Sequence, residues 1–257
     1  MPTVREIENA LYELAPRELA QSWDNVGLLV GNPERKVQKI LVSLDITEEV
    51  AEEADRWEAD LVVAHHPVIF HPIKGVTTRD TGGRVLLRLI ESGLSAICMH
   101  TNLDAAEEGV NAVLAQRLGL DGVVPLGEAA GVARMGLLPA PMSQTDFLAL
   151  LRKRLRTNGI RYVKTRNPIH RVAVGGGACG EFFRTAWEKG CDAFVTADVK
   201  YNDFLDAGAM EFSLIDAGHF PTEDVVCPVL ERFLLDRFPE LVVQKSIVHR
   251  EVIQYYI

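Results

Sequence analysis

Leu61-Val-Val-Ala-His65-His66-Pro67-Val-Ile-Phe70 is a short apolar run that ends in two adjacent histidines followed by a proline. Its first half reads as a buried strand, so the paired imidazoles fall at a strand exit. Imidazole is the commonest side-chain metal ligand. Two further segments carry complementary donors: His100-Thr-Asn-Leu-Asp104 and His219-Phe-Pro-Thr-Glu223. His65, His66, Asp104, His219 and Glu223 together form a nitrogen and oxygen donor set without a thiolate. Such a set suits Zn, Mn, Fe, Ni or Co. A carboxylate from Asp104 or Glu223 lying between two divalent ions about 3.5–4 Å apart would offset their repulsion. The expected cofactor is a pair of divalent metal ions. His100 reads as a residue that orients a ligand or carries a proton.

Each of these residues also has a plainer reading. The alternative for one histidine of the pair is a hydrogen-bonded core residue beside a rigid proline. Asp104 suits the N-cap of a helix beginning at Ala105, with Glu107 completing a capping box. His219 and Glu223, four apart, share a face if helical. However, Pro228 breaks a helix begun at Pro221, which puts the pair on a short turn before a main helix over 229–238.

Outward from the histidine pair, Lys39-Ile-Leu-Val-Ser-Leu-Asp45 is a buried strand. Thr47 then caps a helix with Val50, Ala51, Ala54 and Trp57 on its inner face. Residues 39–66 thus form one strand–helix–strand unit with a parallel, right-handed crossover. A polar loop over 71–81 precedes a helix at Val85, Leu86, Leu89 and Ile90, stopped by Gly93. The strand at 94–99 delivers His100 and Asp104. Upstream, Asp24 and Asn25 in Ser22-Trp-Asp-Asn-Val-Gly27 read as a turn before an edge strand, with a site role the alternative.

From Gly127 the pattern restarts, with a strand over 131–138 and a break at Pro139-Ala-Pro141. A helix opened by Ser143 and a strand over 160–164 follow. Arg171-Val-Ala-Val174, Glu181–Trp187, Cys191-Asp-Ala-Phe-Val-Thr196 and Ser213-Leu-Ile-Asp216 then parallel the first half element for element, which suggests an internal duplication. The predicted architecture is α/β, with lobes over 1–126 and 127–257. Its dinuclear metal site lies in the cleft between the lobes, to which 213–257 returns. Ligand sites in open α/β sheets lie beyond the carboxyl ends of strands.

Gly175-Gly176-Gly177 reads as a tight turn, or alternatively as a phosphate cradle at a helix start. Asp198, Lys200 and Asn202 belong to a pocket lining or a surface loop. His71, His170 and His249 read as solvated surface residues.

At 257 residues the chain is long enough for two ordinary cores. Its net charge of −9 argues against nucleic acid, whose backbone calls for a basic face. No apolar run reaches the length of a membrane span. Thr3-Val-Arg-Glu6 is a capping box opening an amphipathic helix rather than an export signal. Cys98, Cys179, Cys191 and Cys227 show no C-x-x-C spacing and read as reduced thiols of a cytoplasmic protein.

Four stretches carry a resemblance: Ser22-Trp-Asp-Asn-Val-Gly27, His65-His-Pro-Val-Ile-Phe70, His100-Thr-Asn-Leu-Asp104 and Gly218-His-Phe-Pro-Thr-Glu223. In these the chain resembles the Nif-three-like dinuclear-metal proteins, labelled GTP cyclohydrolase 1 type 2 homologs, in a short form without the inserted middle domain. The resemblance implies metal ligation by His65, His66, Asp104, His219 and Glu223. It also implies two α/β lobes and a homohexameric ring built as a trimer of dimers. The chain departs from the family pattern at Asn202, where histidine is expected, and at Glu108, where glycine is usual.

The implied activity is metal-dependent hydrolysis, with water attacking a purine-ring or amide-like carbon of a small molecule, a nucleotide such as GTP. Lys74, Arg79 and Lys200 are candidate partners for its phosphates. The alternatives are a metal-handling protein or ring scaffold without catalysis, and a purely structural role for the metals.

Overall fold

Runs of consecutive apolar residues become central parallel strands here because both faces of such a strand are covered. The computed structural model describes residues 1–127 and 131–256. In chain order the first elements are α1 (Val4–Leu14), β1 (Gly27–Val30), β2 (Lys39–Ser43), α2 (Glu48–Arg56), β3 (Leu61–Ala64), α3 (Thr81–Glu91), β4 (Ser95–Cys98) and α4 (Thr101–Ala105). Then come α5 (Val110–Leu118), β5 (Asp121–Pro125), β6 (Arg134–Met142), α6 (Gln144–Leu155), β7 (Arg161–Tyr162), β8 (Ile169–Val174) and α7 (Phe183–Glu188). The chain continues through β9 (Ala193–Thr196), α8 (Tyr201–Ala209), β10 (Ser213–Asp216), α9 (His219–Glu223), α10 (Cys227–Arg237) and β11 (Val242–Lys245).

The first compact unit comprises Met1–Ala106 and Val226–Arg250. Its sheet has the order β1-β4-β3-β2-β11. The four strands from β4 to β11 are mutually parallel, and β1 closes the edge antiparallel to β4. Every residue of β3 and β4 is buried. Val50, Ala51 and Ala54 of α2 and Val85 and Leu89 of α3 pack on one face of the sheet. Fully burying one such Val or Leu stabilises by about 1.5–3 kcal/mol. The capping box at Thr3 and Glu6 is present and starts α1. Asp80 accepts a 2.7 Å hydrogen bond from Gly83 N and starts α3 four residues earlier than the apolar pattern at Val85 suggested.

The second unit comprises Glu107–Val225 together with the chain from Glu251. Its sheet order is β5-β6-β8-β9-β10-β7. The centre β8-β9-β10 is parallel, while β5, β6 and β7 pair antiparallel. The succession β8-α7-β9-α8-β10 repeats β2-α2-β3-α3-β4, so the sequence repeat corresponds to three adjacent parallel strands in each sheet. Strand β6 runs on through Pro139 and Pro141, where a break was expected. The prolines are accommodated because the ladder with β8 skips from Leu137 to Met142, so no amide is needed there.

The division differs from the expected lobes of 1–126 and 127–257. Residues from Glu107 onward pack with the second unit, and 226–250 packs with the first. The physical cause of the latter is β11, which pairs in parallel with β2 from Val242↔Lys39 to Lys245↔Val42. Pro228 sits in the first turn of α10, where its missing amide is harmless, so that helix starts at Cys227. Among the described residues no helix is long and apolar enough to cross a membrane.

Candidate metal centre

In the first unit, chemistry gathers where β3 and β4 end. His65 and His66 follow Ala64 directly and stay in register with the β2 exit, their amides donating to Ser43 O and Leu44 O at 3.3 and 2.9 Å. Met99 N donates to Ala64 O, which aligns His100, the residue preceding α4. Two neighbouring parallel strands thus release His65, His66 and His100 at one edge. Their ring centroids lie 4.9, 5.3 and 5.7 Å apart. One ring nitrogen of each lies within 4.8 Å of those of the other two. Asp104 sits inside α4 and is buried, so it does not cap a helix from Ala105; its Oδ1 is 3.5 Å from His65 Nε2.

Each of these imidazoles is held by its other nitrogen. His65 is fully buried and its Nδ1 donates to Met99 O at 2.8 Å. His66 Nδ1 donates to Asp45 Oδ1 at 2.7 Å, and His100 Nδ1 donates to Asp24 Oδ1 at 2.8 Å. Carbonyl and carboxylate oxygens only accept, so each Nδ1 carries a proton. Metal-binding histidines are oriented in this way by their outer partners.

Asp24 also accepts hydrogen bonds from the amide and hydroxyl of Thr101. Burial opposes its ionisation, but the bonds from His100 and Thr101 outweigh burial and hold its carboxyl well below the usual range. Asp45 is likewise held low: burial again opposes, and His249 and His66 prevail. Asn25 Nδ2 donates to Ile69 O at 2.6 Å, tying the Trp23–Asn25 turn to the chain beyond the histidine pair. Asp24 and Asn25 thus lie in a turn before β1, as expected, and that turn is bonded to His100, Thr101 and Ile69.

In the second unit, Gly218 takes φ 92° after β10 and starts the short helix α9. His219 and Glu223 lie one turn apart on it, with Nε2 and Oε2 separated by 2.8 Å. His219 Nδ1 donates to Asp198 Oδ2 at 2.6 Å. Asp198 is therefore a positioning group, whereas Lys200 and Asn202 are exposed. Buried Asp216 accepts from both Val199 N and Gly218 N at 3.1 Å, which fixes the two loops that carry Asp198 and His219.

Gly175-Gly176-Gly177 does not cradle phosphate, because its amides are already used. Gly175 N donates to Val195 O at 2.9 Å, Gly176 N to Asn111 Oδ1 at 2.7 Å and Gly177 N to Thr222 Oγ1 at 3.1 Å. The glycines make room instead. A Cβ on Gly177 would stand 2.0 Å from Glu223 Oε1 and 3.1 Å from His219 Nε2.

The sequence reading passed over Asp45 and His249. Asp45 was visible as a polar residue at a strand exit. His249 was read as solvated, but its side chain is only 9% exposed, with Nε2 3.2 Å from Asp45 Oδ2. His71 is exposed and packs edge-on against Phe70, and Lys74 and Arg79 are exposed in the loop beyond it.

A sequence profile of the Duf34/NIF3 (NGG1p interacting factor 3) family matches residues 2–252. A Clostridium perfringens protein named GTP cyclohydrolase 1 type 2 homolog is 33% identical over 252 residues, covering 95% of this chain and 96% of its own. The solved structure of a Staphylococcus aureus hypothetical protein superposes with a TM-score of 0.93 at 28% identity over 99% of both chains. A Bacillus cereus protein related to NIF3 shares the fold, with a TM-score of 0.94 at 22% identity over 100% of this chain and 99% of its own. With its histidine pair at a strand exit and its matching profile from end to end, the chain belongs to the Duf34/NIF3 family.

Proposed function

We propose that His65, His66, Asp104, His219 and Glu223 hold two divalent metal ions, and that the protein is a metal-dependent hydrolase of a nucleotide-like small molecule. One observation carries the reading: His65, His66 and His219 each have Nδ1 tied to an oxygen acceptor, which leaves Nε2 as the ligating nitrogen. In addition, His219 Nε2 and Glu223 Oε2 lie 2.8 Å apart, a spacing that suits two donors on one cation. A proton answers for one such pair. It does not answer for three imidazoles crowded within 5.7 Å, whose like charges repel.

Divalent ions held there would supply Lewis acidity, polarising an amide-like or ring carbon and lowering the pKa of water. The chain's own groups supply the rest. His100, held by the buried Asp24 carboxylate, is the proton carrier. Trp23 and Phe70, 60% and 42% exposed, stand edge to face at 5.8 Å with His100 against both rings. Their open faces suit a planar heteroaromatic ring. Lys74 and Arg79 on the exposed loop would meet its phosphates.

Zinc- or manganese-loaded protein is expected to consume GTP and release formate; absence of formate would remove GTP as the substrate. Base–aromatic stacking is worth about 1–3 kcal/mol. Trp23→Ala is therefore expected to raise KM about tenfold with kcat little changed, as steady-state kinetics would measure. An unchanged KM would take the ring off Trp23.

A second reading, metal handling without catalysis, is favoured by the partial exposure of His66 and His219, at 22% and 32% of their side chains. It predicts metal exchange within minutes and no turnover. We place the protein in the cytoplasm with its cysteines reduced, assembled as a homohexameric ring, which light scattering after gel filtration would weigh.

A further inference from the structure

The segment after β11 returns to the first unit's histidine cluster. Ser246 Oγ donates to buried Glu53 Oε2, Ile247 N donates to Glu53 Oε1 at 3.0 Å, and His249 N donates to Ser246 Oγ at 3.2 Å. This turn on α2 places His249 Nε2 3.2 Å from Asp45 Oδ2, while Asp45 Oδ1 accepts from His66 Nδ1 at 2.7 Å. One carboxylate thus bridges two imidazoles, one oxygen to each.

We infer that His249 is a positioning residue for the metal centre: by fixing Asp45 it fixes the ring of His66, and the docked C-terminal segment and the bound metal stabilise one another. The inference rests on the metal-binding reading above. Its physical basis is the exposure of Asp45, whose side chain is 42% open to solvent. Held only by His66, that carboxylate is free to turn towards water, and His66 would then lose its orientation. The second bond, from His249, removes this freedom. Losing the direct partner of a metal-bound histidine weakens binding by about 10–100-fold. Losing a group one step further out is expected to weaken it by roughly five- to tenfold. Because coupling is reciprocal, metal must favour the docked segment by up to the same factor.

The test uses the whole chain and zinc, in two measurements. Titration against a competing chromophoric chelator is expected to show His249→Ala binding zinc roughly five- to tenfold more weakly than wild type. His249→Gln, whose amide nitrogen replaces imidazole Nε2, should recover most of the loss. A merely structural role would lower the thermal midpoint of the apo protein without this split between alanine and glutamine.

The second measurement is limited trypsin digestion at Arg250, which is exposed. Zinc should slow cleavage in the wild type and in His249→Gln, but not in His249→Ala. Zinc affinity unchanged in a folded His249→Ala overturns the inference and leaves the metal centre standing. Trypsin cleavage indifferent to zinc in the wild type does the same. A wild type that binds no zinc overturns both.

Discussion

His65→Asn is expected to lower zinc affinity about a hundredfold and to abolish the proposed hydrolysis while leaving the fold intact. His65 is fully buried, and its two ring nitrogens have separate tasks. Nδ1 donates to Met99 O at 2.8 Å, and Nε2 faces Asp104 Oδ1 at 3.5 Å. Asparagine places an amide N–H near the position of imidazole Nδ1 but has nothing at Nε2. The structural bond is thereby kept and the ligand removed. A four-ligand zinc site contributes about 10–16 kcal/mol, so one ligand accounts for roughly 3 kcal/mol, or about a hundredfold in affinity. His65→Ala would confuse the result, because truncating a buried ring also opens a cavity. Zinc titration of the asparagine variant, with calorimetry of the apo form, decides the matter. Unaltered zinc binding would remove His65 from the ligand set.

Gly177→Ala is expected to be nearly as damaging, although glycine has no side chain to offer a metal. Gly177 has φ 61°, a left-handed conformation that costs an L-residue about 1–2 kcal/mol. Its added Cβ would meet Glu223 Oε1 at 2.0 Å, far inside van der Waals contact. Glu223 has little room to yield, since the residue is 4% exposed and its Oε2 already lies 2.8 Å from His219 Nε2. The carboxylate must therefore leave its place beside His219 Nε2. The expected results are a thermal midpoint lower by a few degrees and a zinc affinity lower by about a hundredfold. A double-mutant cycle isolates the route: in a Glu223→Ala background, Gly177→Ala should cost almost nothing further in zinc affinity. An additive loss there would mean that the glycine acts by some path other than Glu223.

The strand–helix–strand core and the residues at its exits were legible because each rests on a short-range rule. Four consecutive apolar residues at 61–64 signal a central strand, and all four are buried. His65 and His66 follow that strand within the same local sequence, and His219 and Glu223 are one helical turn apart. Which histidine each orienting carboxylate meets was not legible. Asp24 meets His100 across 76 residues, and Asp198 meets His219 across 21. No spacing rule connects such residues, because the loops that bring them together are set by sheet order.

Gly175-Gly176-Gly177 read as a tight turn, with a phosphate cradle as the alternative that the sequence left open. A glycine run between strand and helix looks the same whether its amides await an anion or are already bonded, and only the partners Val195, Asn111 and Thr222 decide.

By itself the amino-acid sequence determined the α/β class, the twofold repeat of parallel strands and the nitrogen and oxygen donor types that could hold a metal ion. Hydrophobic period and residue chemistry are local properties, so they can be read in order along the chain. The tertiary structure alone decided that 226–250 belongs to the first unit, through β11 beside β2, and that His249 reaches Asp45. Both depend on an open sheet edge accepting a distant strand, and the choice of edge is made only when the whole sheet is assembled.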